Sequence, residues 1–128
     1  MRSPRQSLTV VCEPVPKERP RLGANNNWYT PKKTKDYETL IAWQAKHLPR
    51  YQGPVALNVT FFCSPRPNEK PPDLDNLIKS VLDGLQQGGA LVDDVQVVQI
   101  NACRMIENKR PRMELSLVAM DEVRPLMP

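Results

Sequence analysis

"PPDLDNLIKSVLDGLQQGGALVDD", residues 71–94, reads as one helix between two stops. Two prolines precede it and two glycines, Gly88 and Gly89, follow it. Proline disfavours helix for the residue before it, and glycine ends helices because it tolerates left-handed backbone. Between the stops, Leu74, Leu77, Ile78, Val81, Leu82 and Leu85 recur at helical spacing and form one apolar stripe. The expected helix is 74–87. Upstream, "SPRPNEKPP" (64–72) has four prolines in nine residues and must be loop, and "GPVALNVTFFC" (53–63) has the β-branched and aromatic content of a strand. Downstream, "DVQVVQINACRMIE" (94–107) alternates partly and reads as a strand. "NKRPR" then turns, and "MELSLVAMD" (113–121) is expected back as its hairpin partner.

Toward the N-terminus, "TPKKTKDYETLIAWQAKHLP" (30–49) predicts a second helix, capped by Thr30, with Pro31 in its first turn and Pro49 as its stop. Tyr37, Leu40, Ile41, Ala45 and Leu48 make its apolar positions. Lys32, Lys33 and Lys35 crowd its first turn, where the helix dipole disfavours cations, so a purpose other than helix stability is indicated. Residues 17–30 are loop with a short extended piece at Trp28–Thr30, and 7–16 a first strand. The order β-α-β-α-β-β predicts an α+β fold with a small mixed sheet and two main helices. Strands joined through a helix as parallel neighbours should be connected right-handedly.

The chain has 128 residues, which suits one domain over 1–128 with residues 121–128 as a loose tail. No apolar run reaches the roughly 20 residues a membrane helix needs, and the basic start followed by a short apolar run broken at Glu13 reads as a strand, not a signal peptide. Cys12, Cys63 and Cys103 match no common zinc spacing and are expected as buried free thiols of a cytoplasmic protein. Net charge is +4, unevenly spread: residues 1–50 have ten Lys and Arg against four acids, residues 51–128 eight against ten. A basic half joined to an acidic half suits a polyanion held by one region and acted on by another.

Asp73, Asp75, Asp83, Asp93 and Asp94, five of the fourteen acids, fall within 71–94. Asp73 and Asp75 stand where the proline loop becomes helix. Asp75 lies at the edge of the apolar stripe, where a side chain can face a cleft. Asp94 follows the Gly-Gly turn, and the chain permits its return toward Asp73 and Asp75. Three converging carboxylates suit a hard divalent cation such as Mg2+, with Lys79 able to neutralise a phosphate oxygen. The same residues also fit plain roles: Asp73 as a helix cap, Asp75–Lys79 and Lys79–Asp83 as surface pairs, Asp93–Asp94 as a polar turn. Asp83 is assigned to such a pair.

The run "DLDNLIKSVLDGL…GGALVDDVQVV" resembles the RusA-type Holliday-junction resolvases, small endodeoxyribonucleases acting on four-way DNA junctions. The family pattern D-x-D-N-x-x-K, a short helix with a further Asp, then D-D-x-x-V, is met at every element by residues 73–98. "PVPKERPR" and "YTPKKTKDYE" also look like the phage and bacterial members. The resemblance implies a RusA-like fold and an Mg2+-dependent homodimer nicking four-way junctions symmetrically in DNA recombination and repair, in the cytoplasm of a bacterial or phage-infected cell. It implies Asp73, Asp75 and Asp94 as metal ligands and Lys79 as the motif lysine, with Asp93 the less certain of its pair. Lys17, Arg19, Arg21, Lys32, Lys33 and Lys35, near Trp28 and Tyr29, are expected to track DNA phosphates, and the aromatics can stack on unpaired bases or pack in a core or interface. His47, near a helix end, is expected to have no catalytic part. A metal-dependent nucleotide phosphohydrolase and a non-catalytic junction-binding protein remain alternatives. The extended basic region argues against the first, the intact acid set against the second.

Overall fold

A computed structural model describes residues 5–120. Six strands and two helices follow in the order β1 (Arg5–Val10), β2 (Arg21–Leu22), β3 (Trp28–Tyr29), α1 (Lys32–Ala45), β4 (Val55–Cys63), α2 (Leu74–Gln87), β5 (Val97–Ile106) and β6 (Arg112–Ala119). β2 and β3 form a separate antiparallel ribbon; the other four strands make one mixed sheet in the order β1-β6-β4-β5. The fold is α+β, with the two helices packed together on one side of the sheet. The tail at 121–128 lies outside the described residues.

β4 is central because it is the most apolar strand, and its burial is nearly continuous. It pairs with β5 in parallel and with β6 in antiparallel fashion. The expected hairpin between the last two strands is therefore absent: β6 inserts between β1 and β4, and β5 stays at the outer edge. Residues 107–111 cross the end of β4, where the Glu107 N–H donates to the Cys63 carbonyl at 2.9 Å. Five residues cover two strand spacings, about 10 Å, easily. A two-residue turn would have forced pairing, and this connection does not.

The helix at 74–87 is as expected, ended by Gly88 and by Gly89 at φ +85°. The other helix is shorter than expected. Pro31, not Thr30, occupies the N-cap position, with no side-chain cap, and Lys46, His47 and Leu48 donate to carbonyls three residues back in a looser final turn. The first strand spans Arg5–Val10, not 7–16, because Pro14 and Pro16 pull the chain off the sheet. Asp94–Gln96 form a 3-10 turn, so β5 begins at Val97.

Phe61, Leu57, Ile41, Leu77, Val81, Leu85, Met113 and Leu117 fill the layer between sheet and helices. Gly84 lets the helices touch: a Cβ there would lie 2.7 Å from the Ile41 side chain. The opposite sheet face is open and polar, with Asn101 Nδ2 donating to Asn58 Oδ1 at 3.0 Å. Of the three cysteines, only Cys63 is buried; Cys12 is half-buried and Cys103 exposed on β5.

Candidate active site

A cleft of about 780 Å3 opens between the start of α2 and the segment Lys17–Arg21. One wall carries Asp73, Asp75, Asn76 and Lys79, the other Lys17, Arg19 and Arg21. The proline loop aims the acids. Asp73 is the N-cap residue of α2 with extended backbone (φ −64°, ψ 133°), yet its side chain makes no capping bond. Among the described residues its carboxylate takes only a 3.4 Å contact from Asn76 Nδ2. Asp75, two residues on in the first turn, is exposed and in no ion pair among the described residues. Neither carboxylate is consumed by the fold. Arg104 on β5, unforeseen from the sequence, donates through Nη1 to the Pro72 carbonyl at 2.7 Å and fixes the loop just ahead of Asp73.

The basic wall is tied down by Lys17. Its backbone N–H donates to the Asn76 carbonyl at 2.8 Å, and its Nζ donates to Glu38 Oε2 at 2.8 Å and lies 2.9 Å from Asp83 Oδ2. The charge-assisted bonds to Glu38 and Asp83 outweigh the partial burial that pushes the Lys17 ammonium down, and its pKa ends up raised. Burial pushes the Glu38 carboxyl up, opposed by Lys17 and reinforced by Asp83. Lys17 is thus a structural bridge from the loop to both helices, and Asp83 belongs to it, not to Lys79 as expected. Glu38, buried in α1, could have been suspected from an acid at an otherwise apolar helix position.

The remaining cations differ in availability. Arg21 pairs with Glu18 at 2.8 Å and Lys32 with Asp36 at 2.8 Å, both exposed; such pairs are worth little and yield readily to a phosphate. Among the described residues Arg19, Lys33 and Lys35 make no ion pair, and all three are exposed. Lys32, Lys33 and Lys35 lie outside the cleft itself. They ring the start of α1, whose Thr34 hydroxyl donates to the Pro16 carbonyl at 3.2 Å, one residue from Lys17. Trp28 is 70% and Tyr29 50% exposed on the adjoining ribbon, so neither packs in the core. His47 is also exposed.

Asp93 and Asp94 stand at the other end of α2. Gln96 accepts from the Val92 and Asp93 N–H groups at 2.6 and 3.0 Å, and its amide donates to the Tyr51 and Gly53 carbonyls at 2.9 Å each. That pins the turn beside the start of β4. Asp93 caps it, accepting from the Val95 N–H at 3.0 Å. This bond, with a second from Asp94, holds the Asp93 carboxyl below the usual range. Asp94 is pushed up, first by its shared bond with Asp93, then by desolvation and the charges of Asp93 and Asp83. Asp93 is therefore spent on structure and Asp94 is not.

The fold brings Asp73, Asp75 and Lys79 together but leaves Asp94 apart from them within one chain. A helix of 14 residues is about 21 Å long. Among the described residues no group of three or more His, Cys, Asp or Glu side chains is placed to hold a metal. The Asp73–Asp75 pair still fits a hard cation chemically: two exposed, uncommitted carboxylates with room for waters and a phosphate oxygen.

The family profile described as Endodeoxyribonuclease RusA matches residues 12–118. "Crossover junction endodeoxyribonuclease RusA" of Escherichia coli strain K12 is 39% identical over 54 residues, which are 42% of this chain and 45% of that protein. "Crossover junction endodeoxyribonuclease rusA" of Enterobacteria phage 82 is 39% identical over 54 residues, with the same coverage of both chains. The matched stretch thus spans less than half the length of these relatives.

Proposed function

The chain belongs to the RusA family of endodeoxyribonucleases, and on that premise we propose that it is a structure-selective endonuclease that resolves four-way DNA junctions. The observation that carries this is the cleft: an uncommitted Asp73–Asp75 pair and Lys79 share it with Lys17, Arg19 and Arg21. A small nucleotide would not need cations extending from Arg19 out to Lys35.

Arg19, Arg21, Lys33 and Lys35 hold the DNA backbone by charge, so affinity should fall steeply with salt. Asp73 and Asp75 would hold Mg2+, which when bound lowers the pKa of a water and offsets charge on phosphate oxygens; Asp94, apart from them within one chain, would join them only across a dimer. Lys79 neutralises the non-bridging phosphate oxygen or the leaving oxygen as a point charge. In the reaction the water oxygen forms a bond to phosphorus and one bridging P–O bond breaks. One new end keeps the phosphate; the other becomes a hydroxyl, its oxygen protonated as the attacking water loses its proton. Two opposed strands must be cut, so a two-fold homodimer presenting two sites gives the paired, symmetric nicks of resolution. The setting is DNA recombination and repair in the cytoplasm of a bacterial or phage-infected cell; no helix among the described residues is long and apolar enough to cross a membrane.

The separation of Asp94 from the other two acids favours a second reading, a junction-binding protein that does not cut. End-labelled four-way junction, linear duplex and free nucleotide, each with and without Mg2+, separate the cases. Paired nicks on the junction alone support the proposal; a gel shift without cleavage supports the second reading; nucleotide turnover contradicts both.

A further inference from the structure

We infer that the β2–β3 ribbon is the part of the protein that tells a branched junction from continuous duplex: Trp28, backed by Leu22, stacks on a base left unpaired at the crossover. This rests on the endonuclease reading above and assigns its selectivity to a surface outside the acidic cleft.

The ribbon is short but defined. Arg21 pairs with Tyr29 and Leu22 with Trp28, and the Gly23 N–H donates to the Asn27 carbonyl at 2.8 Å. Asn25 and Asn26 reverse the chain at φ 64° and 60°, a left-handed backbone that asparagine tolerates better than most residues. Successive side chains of a strand leave on opposite faces, and directly paired residues share one. Arg21 and Tyr29 therefore take one face, Leu22 and Trp28 the other.

The two faces are used differently. On the first, Arg21 lines the cleft that also carries Asp73 and Asp75. The Tyr29 ring lies against Gly23, where a Cβ would come within 3.2 Å of it, so Tyr29 is held by packing. On the second, Leu22 is 54% and Trp28 70% exposed, and Trp28 is the most exposed aromatic among the described residues. Trp43, the other tryptophan, already has Lys46 Nζ 4.6 Å from its ring centroid. Among the described residues no cation sits on Trp28. A flat apolar surface left in water on a fixed ribbon is unfavourable until a ligand covers it.

Charge names the ligand. Arg19 and Arg21 precede the turn of the ribbon, and Lys32, Lys33 and Lys35 follow its second strand. An apolar protein surface gains nothing from those cations, whereas a nucleic acid supplies phosphates for them and a π-face for the indole. Continuous duplex keeps its bases stacked on one another and offers Trp28 none. A four-way crossover, where stacks end and strands change partners, offers one. With a DNA backbone held on the Arg21 face, the ribbon stands between that backbone and the open base.

Binding without divalent metal, where nothing is cut, tests this by anisotropy with labelled four-way junction and with linear duplex of the same sequence. The wild type should prefer the junction. Trp28→Ala should lose junction affinity on the order of tenfold to a hundredfold and keep duplex affinity within about twofold. Its circular dichroism and mass in solution should not change, since the side chain is exposed, and Trp28→Phe should recover most of the loss. In a Trp43→Phe chain Trp28 is the sole tryptophan, and its emission should be quenched by the junction and not by the duplex. Equal losses on both DNAs, unchanged selectivity in Trp28→Ala, or no junction-specific quenching overturns the assignment. A Trp28→Ala chain of altered mass also overturns it, because the face is then an interface between copies. A wild type without preference for the junction overturns the structure-selective reading itself. A wild type that nicks junctions with Mg2+, beside an equally selective Trp28→Ala, leaves that reading standing and removes only the ribbon's part in it.

Discussion

The two ends of α2 treat their acids differently. At the first end, neither Asp73 nor Asp75 does structural work: the cap position is filled by a residue whose side chain does not cap. At the second, Asp93 closes the 3-10 turn with its carboxylate and Asp94 is left over. Carboxylates that repel one another, and that the fold does not use, weaken a protein unless something outside the chain offsets them. The comparison separates acids that the fold uses from acids that it leaves uncommitted, which a count of charges cannot do.

The largest effect should come from the first end. Asp75→Asn is expected to lower junction cleavage by roughly 10³-fold or more, since metal-type charge stabilisation is worth several kcal/mol, while gel-shift affinity in low salt stays within a few-fold of wild type. Loss of binding by a folded variant would break the division between acidic and basic walls. At the second end, Asp94→Asn should match that loss of cleavage. Asp93→Ala should instead cost roughly 1 kcal/mol of stability as a lost cap and leave cleavage within about tenfold. If both variants inactivate equally at equal stability, the two aspartates are not distinct.

Gly84→Val tests the contact on which both ends depend. With Ile41 already where the new Cβ would go, overpacking should cost about 1–3 kcal/mol, seen as a lower denaturant midpoint. Lys17→Met, which leaves Glu38 and Asp83 without their cation, should cost about 2 kcal/mol at neutral pH. This is less than a fully buried pair would cost, because Asp83 is 42% exposed. The sign with pH follows from direction. The Lys17 ammonium titrates higher folded than unfolded, so its contribution is complete below the ordinary lysine value of 10.5 and is lost as pH rises through the folded value. Glu38 titrates higher folded than unfolded, so its ionisation weakens the fold as pH rises from its ordinary value of 4.5. Without Lys17 that loss deepens. The gap between wild type and Lys17→Met should thus be small at acid pH, widen through the carboxylate range and close again above 10.5. A gap that does not vary with pH would mean that packing, not charge, holds the loop.

Local signals carried much of this structure. Pro71–Pro72 and Gly88–Gly89 bracket α2 to the residue because they act on the backbone where they stand. The motif run from Asp73 to Val98 identifies the family that the matching profile also identifies. What the sequence hid is non-local. Partial alternation in β5 cannot name its neighbour, and β6 went to the far side of β4. Lys17 reads as one more basic residue until Glu38 and Asp83, 21 and 66 positions away, close on it. The place of Asp94 depends on the direction in which α2 crosses the sheet, which spacing along the chain does not encode.

The most direct measurement is a crystal structure of the protein with Mn2+ and uncleaved four-way junction, read by anomalous scattering. An ion between the Asp73 and Asp75 carboxylates, within coordination distance of a DNA phosphate, is the predicted result. A peak elsewhere, or a junction bound with those two carboxylates facing only solvent, would contradict it.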